Sequence, residues 1–364
     1  MAQNQSKVPA AWRISPNRRL AGERQPGANL FRYQVQRFRW FVLPAFLLAA
    51  LIVCTDAVPG EPYRGPVIDA HCHIGGSFDP KTMVRVMRAN GVRAMIVMAR
   101  YYPGPAGKGD LPGNDEMALD LAAKFPGRFI PLVGMQRPML TDADWSNPGD
   151  AVNALLKDTE KKLASGRFRG IGEVIVRHFA YSRGRHAELN KPVYSAFTRA
   201  LSRLALRFDV PIVIHMEGDP ALVTNFERLV GEYPKVIYVW AHNCGRSRAP
   251  VIRRVLAAHP NLMCDLSGMM NFGKQTYGAG WPRMESYTAL MEVGGRFLPD
   301  MKAIYEDFPD RFMIGTDIAH APVMNDAIYG GRIRRFRTLL GTLKPATAKR
   351  LAETNAVRIF HLDR

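Results

Sequence analysis

The chain has 364 residues, 47% of them apolar and 23% charged, a balance that excludes an extended disordered chain and suits a domain with a sizeable core. Four cysteines are too few for a small disulfide-stapled scaffold. The formal charge is +18, of which residues 1–60 contribute +6 and the remainder +12, so the body of the chain suits an anionic small molecule or an anionic surface.

Residues 1–40 read as a basic tail, with Lys7 and seven arginines against Glu23 alone. An apolar segment, 41–57, follows, and it is uninterrupted from 41 to 54. As a helix those fourteen residues span only about 21 Å, whereas a comfortable membrane crossing takes about 20 residues. The basic flank, the apolar stretch and the small-residue site Thr55-Asp56-Ala57 read as a signal sequence with a long basic region, or as a short anchor whose basic end stays in the cytoplasm. The expectation is an exported or membrane-anchored protein, with 58–364 on the periplasmic or extracytoplasmic side and membrane association through 41–57. A reporter fused after Pro59 would then sit across the membrane, and full-length protein in the soluble cytoplasm would contradict this.

From residue 67 onward, short apolar runs alternate with segments of helical period. The first run, Val67-Ile68, leads to Asp69-Ala70-His71-Cys72-His73. In an extended strand, side chains at i and i+2 share a face, so Asp69, His71 and His73 are expected to project together, with Cys72 pointing away as a small hydrophobe. Further runs are 94–98, 129–133, 170–176 with Glu173, 210–214 leading to His215, 236–241 leading to His242, 261–266, and 311–316 leading to Asp317. Their length and β-branched content fit strands buried on both faces. Helical segments fall at 80–89, 115–124, 151–164, 193–208, 221–232, 249–258, 333–343 and 346–355, with a weaker stretch at 286–306 broken by Gly294-Gly295 and Pro299. Eight strands alternating with helices predict an α/β chain with a (β/α)₈ TIM barrel, in which the ligand-type residues gather at the C-terminal ends of the strands. Ligands from the first and last strands meet in a closed barrel and are held apart in an open sheet.

No spacing among the cysteines suggests a disulfide or a zinc ribbon. His178 and His320 fall just after strands and are expected to line the pocket, whereas His186, His259 and His361 are not expected to be ligands. Asp265 is read as a structural carboxylate or an orienting one, and Asp69 as one that hydrogen-bonds a ligand. Gly273 and Gly278-Ala279-Gly280 read as a connection able to serve as a lid.

Asp69-Ala70-His71-Cys72-His73, His215, His242 and Asp317, in that order, resemble the amidohydrolase superfamily, and Asn355-Ala356-Val357-Arg358-Ile359-Phe360 is similar to the ending of its amidohydrolase-2 branch. The resemblance covers about 67–360 and implies a metal-dependent enzyme. It makes His71, His73, His215 and Asp317 metal ligands. His242 either binds a second ion or donates to the substrate, and Glu173 matches a carboxylate that bridges two metals in TatD-like relatives. The branch contains hydrolases beside decarboxylases, and TatD-like relatives include phosphoesterases, so these are the alternatives to hydrolysis of an amide, ester or lactone.

The residues support the same chemistry. Imidazoles with a carboxylate suit zinc better than calcium or magnesium, so one or two divalent ions, with Zn2+ first, are expected. Asp317 is the expected general base, and His242 the expected donor to a developing oxyanion. Arg100, Arg137 and Arg177, after the second, third and fourth strands, are expected to hold an anionic substrate through two-point contacts, with Arg246 as a further candidate. No lysine-rich or aromatic-interleaved basic stretch follows the leader, so nucleic acid ranks below a small molecule.

Overall fold

The computed structural model describes residues 60–102, 111–136, 140–180, 188–270, 290–319 and 321–363. The leader, Arg137, His186, His320 and the lid glycines at 273–280 lie outside them.

Eight barrel strands follow in chain order: β1 (Val67–Ile74), β2 (Val92–Arg100), β3 (Phe129–Gln136), β4 (Ile171–His178), β5 (Ile212–Met216), β6 (Tyr238–Trp240), β7 (Leu262–Asp265) and β8 (Phe312–Met313). Neighbours pair in parallel from β1 to β8. The ring is nearly closed, with backbone bonds joining β1 to the segment that follows β8: Ala70 N–H donates to Ile314 O at 3.0 Å, Asp317 N–H to His71 O at 2.9 Å and His73 N–H to Ile318 O at 2.8 Å. The parallel, nearly closed eight-stranded barrel is consistent with the expected TIM barrel, and each strand overlaps one of the apolar runs.

Alternation within the strands produces two cores. Val67, Met95, Val97, Val133, Val176 and Ile214 face outward and pack beneath the helices. Ile68, Ala94, Ile96, Met98, Leu132, Val213, Val239, Met263 and Met313 fill the barrel interior, together with Ala356, Ile359 and Phe360 from the C-terminal helix. Side chains of Asp79, Asn114, Ser195 and Asp219 cap the N-termini of helices Pro80–Ala89, Asp115–Lys124, Ala196–Phe208 and Pro220–Glu232, accepting from amides that the helix leaves unpaired.

Several expectations need correction. The described part of 286–306 is not one helix: Glu292–Val293 and Arg296–Phe297 pair antiparallel around Gly294-Gly295, and the helix begins only at Pro299. Both glycines have positive φ, at 57° and 83°, which turns the chain where a helix would have continued. The run 236–241 yields a strand of only three residues, because the backbone leaves extended geometry at His242. Asp69 does not share a face with His71. The pairing of β1 with β2 slips between Asp69 and Cys72, and the Asp69 carboxylate accepts from Thr316 N at 2.8 Å and Thr316 Oγ1 at 2.6 Å. It fastens the first strand to the last instead of orienting a histidine. Cys72 packs in the outer core as expected, with its thiol donating to Asp69 Oδ2 at 3.0 Å.

Candidate metal centre

Six side chains from five strands and their extensions converge at the C-terminal ends of the barrel. His71 and His73 present Nε2 atoms 3.3 Å apart. Glu173 lies between the histidines: its Oε1 is 3.4 Å from His71 Nε2, 3.3 Å from His215 Nδ1 and 3.3 Å from His242 Nε2, and its Oε2 is 3.5 Å from His73 Nε2. Asp317 Oδ1 approaches His73 Nε2 at 3.4 Å and His71 Nε2 at 4.0 Å. His71, His73, Glu173 and His242 are buried, while the Asp317 side chain is 25% exposed and opens the cluster toward solvent.

Two sets of ligand-type atoms emerge, His71 with His73 and Glu173, and Glu173 with His215 and His242; within each set the atoms lie inside 4.8 Å of one another. Glu173 belongs to both. Among the described residues, buried Glu173 Oε1 has no hydrogen-bond donor, which is an unusual state for a carboxylate oxygen and fits a divalent cation.

Acceptors behind the histidines fix their rings. Asp265 Oδ2 lies 2.9 Å from His71 Nδ1, and the Ser267 carbonyl lies 3.0 Å from His242 Nδ1, so both rings present Nε2 inward. Asp265 is thus the orienting carboxylate. Burial alone would depress His71, but the Asp265 and Glu173 carboxylates raise it to about 10. Burial pushes the Asp317 carboxyl up, yet the hydrogen bond with His73 and the fields of His242 and His71 outweigh it and hold it below the usual carboxylate range. Glu173 is also held well below that range, as His215 and His71 overcome its desolvation. Crowded imidazoles and anionic carboxylates of this kind are the electrostatic condition for displacing protons with cations.

The backbone around His242 is unusual. His242, Asn243, Cys244, Gly245 and Arg246 all have positive φ, between 53° and 67°, forming a left-handed turn. Only Gly245 takes this conformation without a steric penalty, and it also lies against Trp240, where a Cβ would come within 2.7 Å of the indole. A disulfide joins Cys244 on this turn to Cys264 on β7, a pairing that no cysteine spacing suggested. Their sequence separation of 20 carries no recognisable spacing, and only the adjacency of β6 and β7 brings them together.

The arginines divide. Arg100 is buried at the end of β2 with its guanidinium over the Tyr102 ring. Arg177 packs over Phe179 and pairs with Glu188 at 2.5 Å. Buried Arg246 pairs with Glu217. His178 stands beside the centre, its ring 6.0 Å from that of His215. His259 and His361 are elsewhere, against Glu227 and Asp209. Sequence reasoning missed Gln136, whose Nε2 donates to Glu173 Oε2 at 2.8 Å, and also Ser267 and Glu217. Gln136 and Glu217 carried a weak signal, each lying at the end of a strand or just past it.

The chain matches the amidohydrolase family over residues 68–362. A putative amidohydrolase from Staphylococcus aureus is similar in structure, with TM-score 0.52 and 13% identity, covering 81% of this chain and 99% of that one. So is 2,6-dihydroxybenzoate decarboxylase from Rhizobium, with TM-score 0.50 and 16% identity over 83% and 100% of the two chains. A dihydroxybenzoic acid decarboxylase from a Polaromonas species, with bound manganese and the inhibitor 2-nitroresorcinol, gives TM-score 0.50 and 15% identity over 83% and 98%. At these identities the likeness is one of fold. No curated protein matches the chain.

Proposed function

We propose a function on the premise that the chain belongs to the amidohydrolase family, and is an enzyme of that metal-dependent superfamily: hydrolysis of an amide, ester or lactone of an anionic small molecule at a centre of two divalent cations. The observation that carries this reading is the sharing of Glu173 between two sets of histidines. Divalent ions bound there would supply a Lewis acid for a carbonyl and, by lowering the pKa of water to about 7, hydroxide at neutral pH. His71 and His73, with Glu173 and Asp317, would hold one ion; His215 and His242, with the other face of Glu173, would hold the second. Imidazole donors favour zinc among the common divalent ions, with other transition ions close behind.

The protein's own residues then have distinct tasks. Asp317 is the acidic member that reaches solvent, so it is the one placed to take a proton from water and pass it to a leaving group. Asp265 and Ser267 keep the His71 and His242 rings from turning. Gln136 holds Glu173 Oε2, leaving Oε1 toward the second set of histidines.

The deciding experiment is metal stoichiometry. Glu173→Gln is expected to lower the content of purified protein by about one equivalent, from two to one. One equivalent in both proteins would defeat the two-cation reading.

For the substrate, the expectation rests on the arginines at or after the ends of the barrel strands. Arg100 ends β2, Arg177 is the penultimate residue of β4, Arg246 ends the turn after β6 and Arg137 follows β3 in sequence, and a guanidinium fork matches a carboxylate in two-point contacts. An anionic substrate is expected to be turned over at least about tenfold better in kcat/KM than its neutral methyl ester or amide, the effect of about 1.4 kcal/mol. The advantage should shrink in Arg100→Ala, Arg137→Ala or Arg177→Ala. Equal turnover of both substrates by all four proteins would remove the anion preference. Including carboxylic acids in the panel separates hydrolysis from decarboxylation by the release of carbon dioxide.

A further inference from the structure

We propose that Glu217 is a positioning residue of the second cation set: it holds His215 with Nδ1 toward the centre and anchors, through Arg246, the left-handed turn that carries His242. This rests on the two-cation reading above.

Glu217 is fully buried, one residue beyond β5. Its Oε1 pairs with the Arg246 guanidinium and lies 3.6 Å from His215 Nε2, just beyond hydrogen-bond reach, a buried nitrogen that has no hydrogen-bond partner among the described residues. The opposite ring nitrogen, His215 Nδ1, is 3.3 Å from Glu173 Oε1 and 2.9 Å from His242 Nε2. One imidazole thus stands between two carboxylates, and a neutral imidazole has a single N–H to give. A ring that offers its lone pair to a cation must carry that proton on the far nitrogen, and Glu217 is the carboxylate facing it.

His71 and His242 follow the same rule in the opposite sense. Their Nδ1 atoms face Asp265 and Ser267, so Nε2 points inward. His215 is turned around, with Nδ1 inward and Nε2 backed by Glu217. A nearby anionic acceptor also has to remain an acceptor. An isolated carboxylate at this depth would be costly, and the Arg246 pairing compensates it.

Arg246 extends the effect. A Cβ placed on Gly268 would lie 3.1 Å from Arg246 Nη2, 2.9 Å from His242 Nδ1 and 2.8 Å from Asp317 Oδ2. The guanidinium therefore shares one small space with both the turn histidine and the expected base. Glu217 N–H also donates to Arg177 O at 3.3 Å, which ties its backbone to β4.

The test is titration of metal-free full-length protein with Co2+, followed by calorimetry and by visible absorption. Two variants are compared with wild type. Glu217→Gln keeps an oxygen on the side facing His215 Nε2, without the charge. The double variant Glu217→Leu/Arg246→Leu removes both charges together, so that neither partner is left buried without the other. Wild type is expected to take two equivalents. The double variant is expected to bind the first equivalent unchanged and the second 10–100-fold more weakly, with an altered cobalt spectrum for that step. Glu217→Gln should restore most of the second affinity and the wild-type spectrum. A double variant that binds both equivalents as tightly as wild type would overturn the role of Glu217 alone. So would equal weakening of both equivalents with a lowered Tm, which would mark a general structural role. A single equivalent in wild type would sink the two-cation reading itself, before any variant is considered.

Discussion

Asp317→Asn is expected to lower kcat/KM by about 10³-fold, close to 4 kcal/mol of lost transition-state stabilisation. Asparagine has nearly the same shape and can still offer an oxygen toward His73, 3.4 Å away in the wild type, so the cluster should remain assembled. What it cannot do is accept a proton. The loss should fall on kcat, with KM little changed, and metal content should drop by less than one equivalent. The measurement is steady-state kinetics on whichever ester, lactone or amide the wild type turns over, with elemental analysis of the same preparation. An Asn variant retaining more than a tenth of wild-type turnover would take the base role away from Asp317.

Trp240→Ala is expected to destabilise the fold by about 3–5 kcal/mol, the range for truncating a large buried aromatic. Trp240 heads the fully buried side chains by size. Its Nε1 donates to Met216 O at 2.5 Å, linking β6 to the end of β5, and its ring packs edge-on against Phe226 with centroids 5.4 Å apart. Removing it empties the space beside Gly245, so the turn that carries His242 loses its support. Denaturant unfolding should show the lower stability, and affinity for the second cation should fall with it. A variant within about 1 kcal/mol of wild type would mean the surrounding core collapses to fill the void.

Most of the side chains that cluster at the candidate centre were legible before the fold was, because their signals are local. An alternating His-x-His at the end of a strand places two rings on one face whatever surrounds it, and the same is true of lone His, Glu or Asp residues that end apolar runs. The barrel followed from the strand and helix periods and from the need for His71 and Asp317 to meet. What stayed hidden depends on neighbours far apart in sequence. Asp265 is one strand-end carboxylate among others until β7 lies beside His71, 194 residues away in sequence. Cys244 and Cys264 gain their meaning only from the pairing of β6 with β7. Asp69 obeyed strand alternation in the sequence, and a slip in register sent it to Thr316. Glu217 had only the weak signal of its place just past β5, two residues after His215.

The turn from His242 to Arg246 is one loop of the described chain in which the handedness of the amino acids works against the path of the backbone. Each L-residue there gives up about 1–2 kcal/mol that a right-handed turn would have kept. The same path, traced by residues of opposite chirality, is an ordinary helical turn. A chain assembled by chemical ligation with D-asparagine at 243 would therefore settle into this geometry without that penalty. Its side chain would leave the Cα in another direction, however, and lose the Tyr305 hydroxyl that Asn243 Oδ1 accepts at 3.0 Å. Stereochemistry thus becomes a tunable property at this position, with backbone ease set against one buried hydrogen bond.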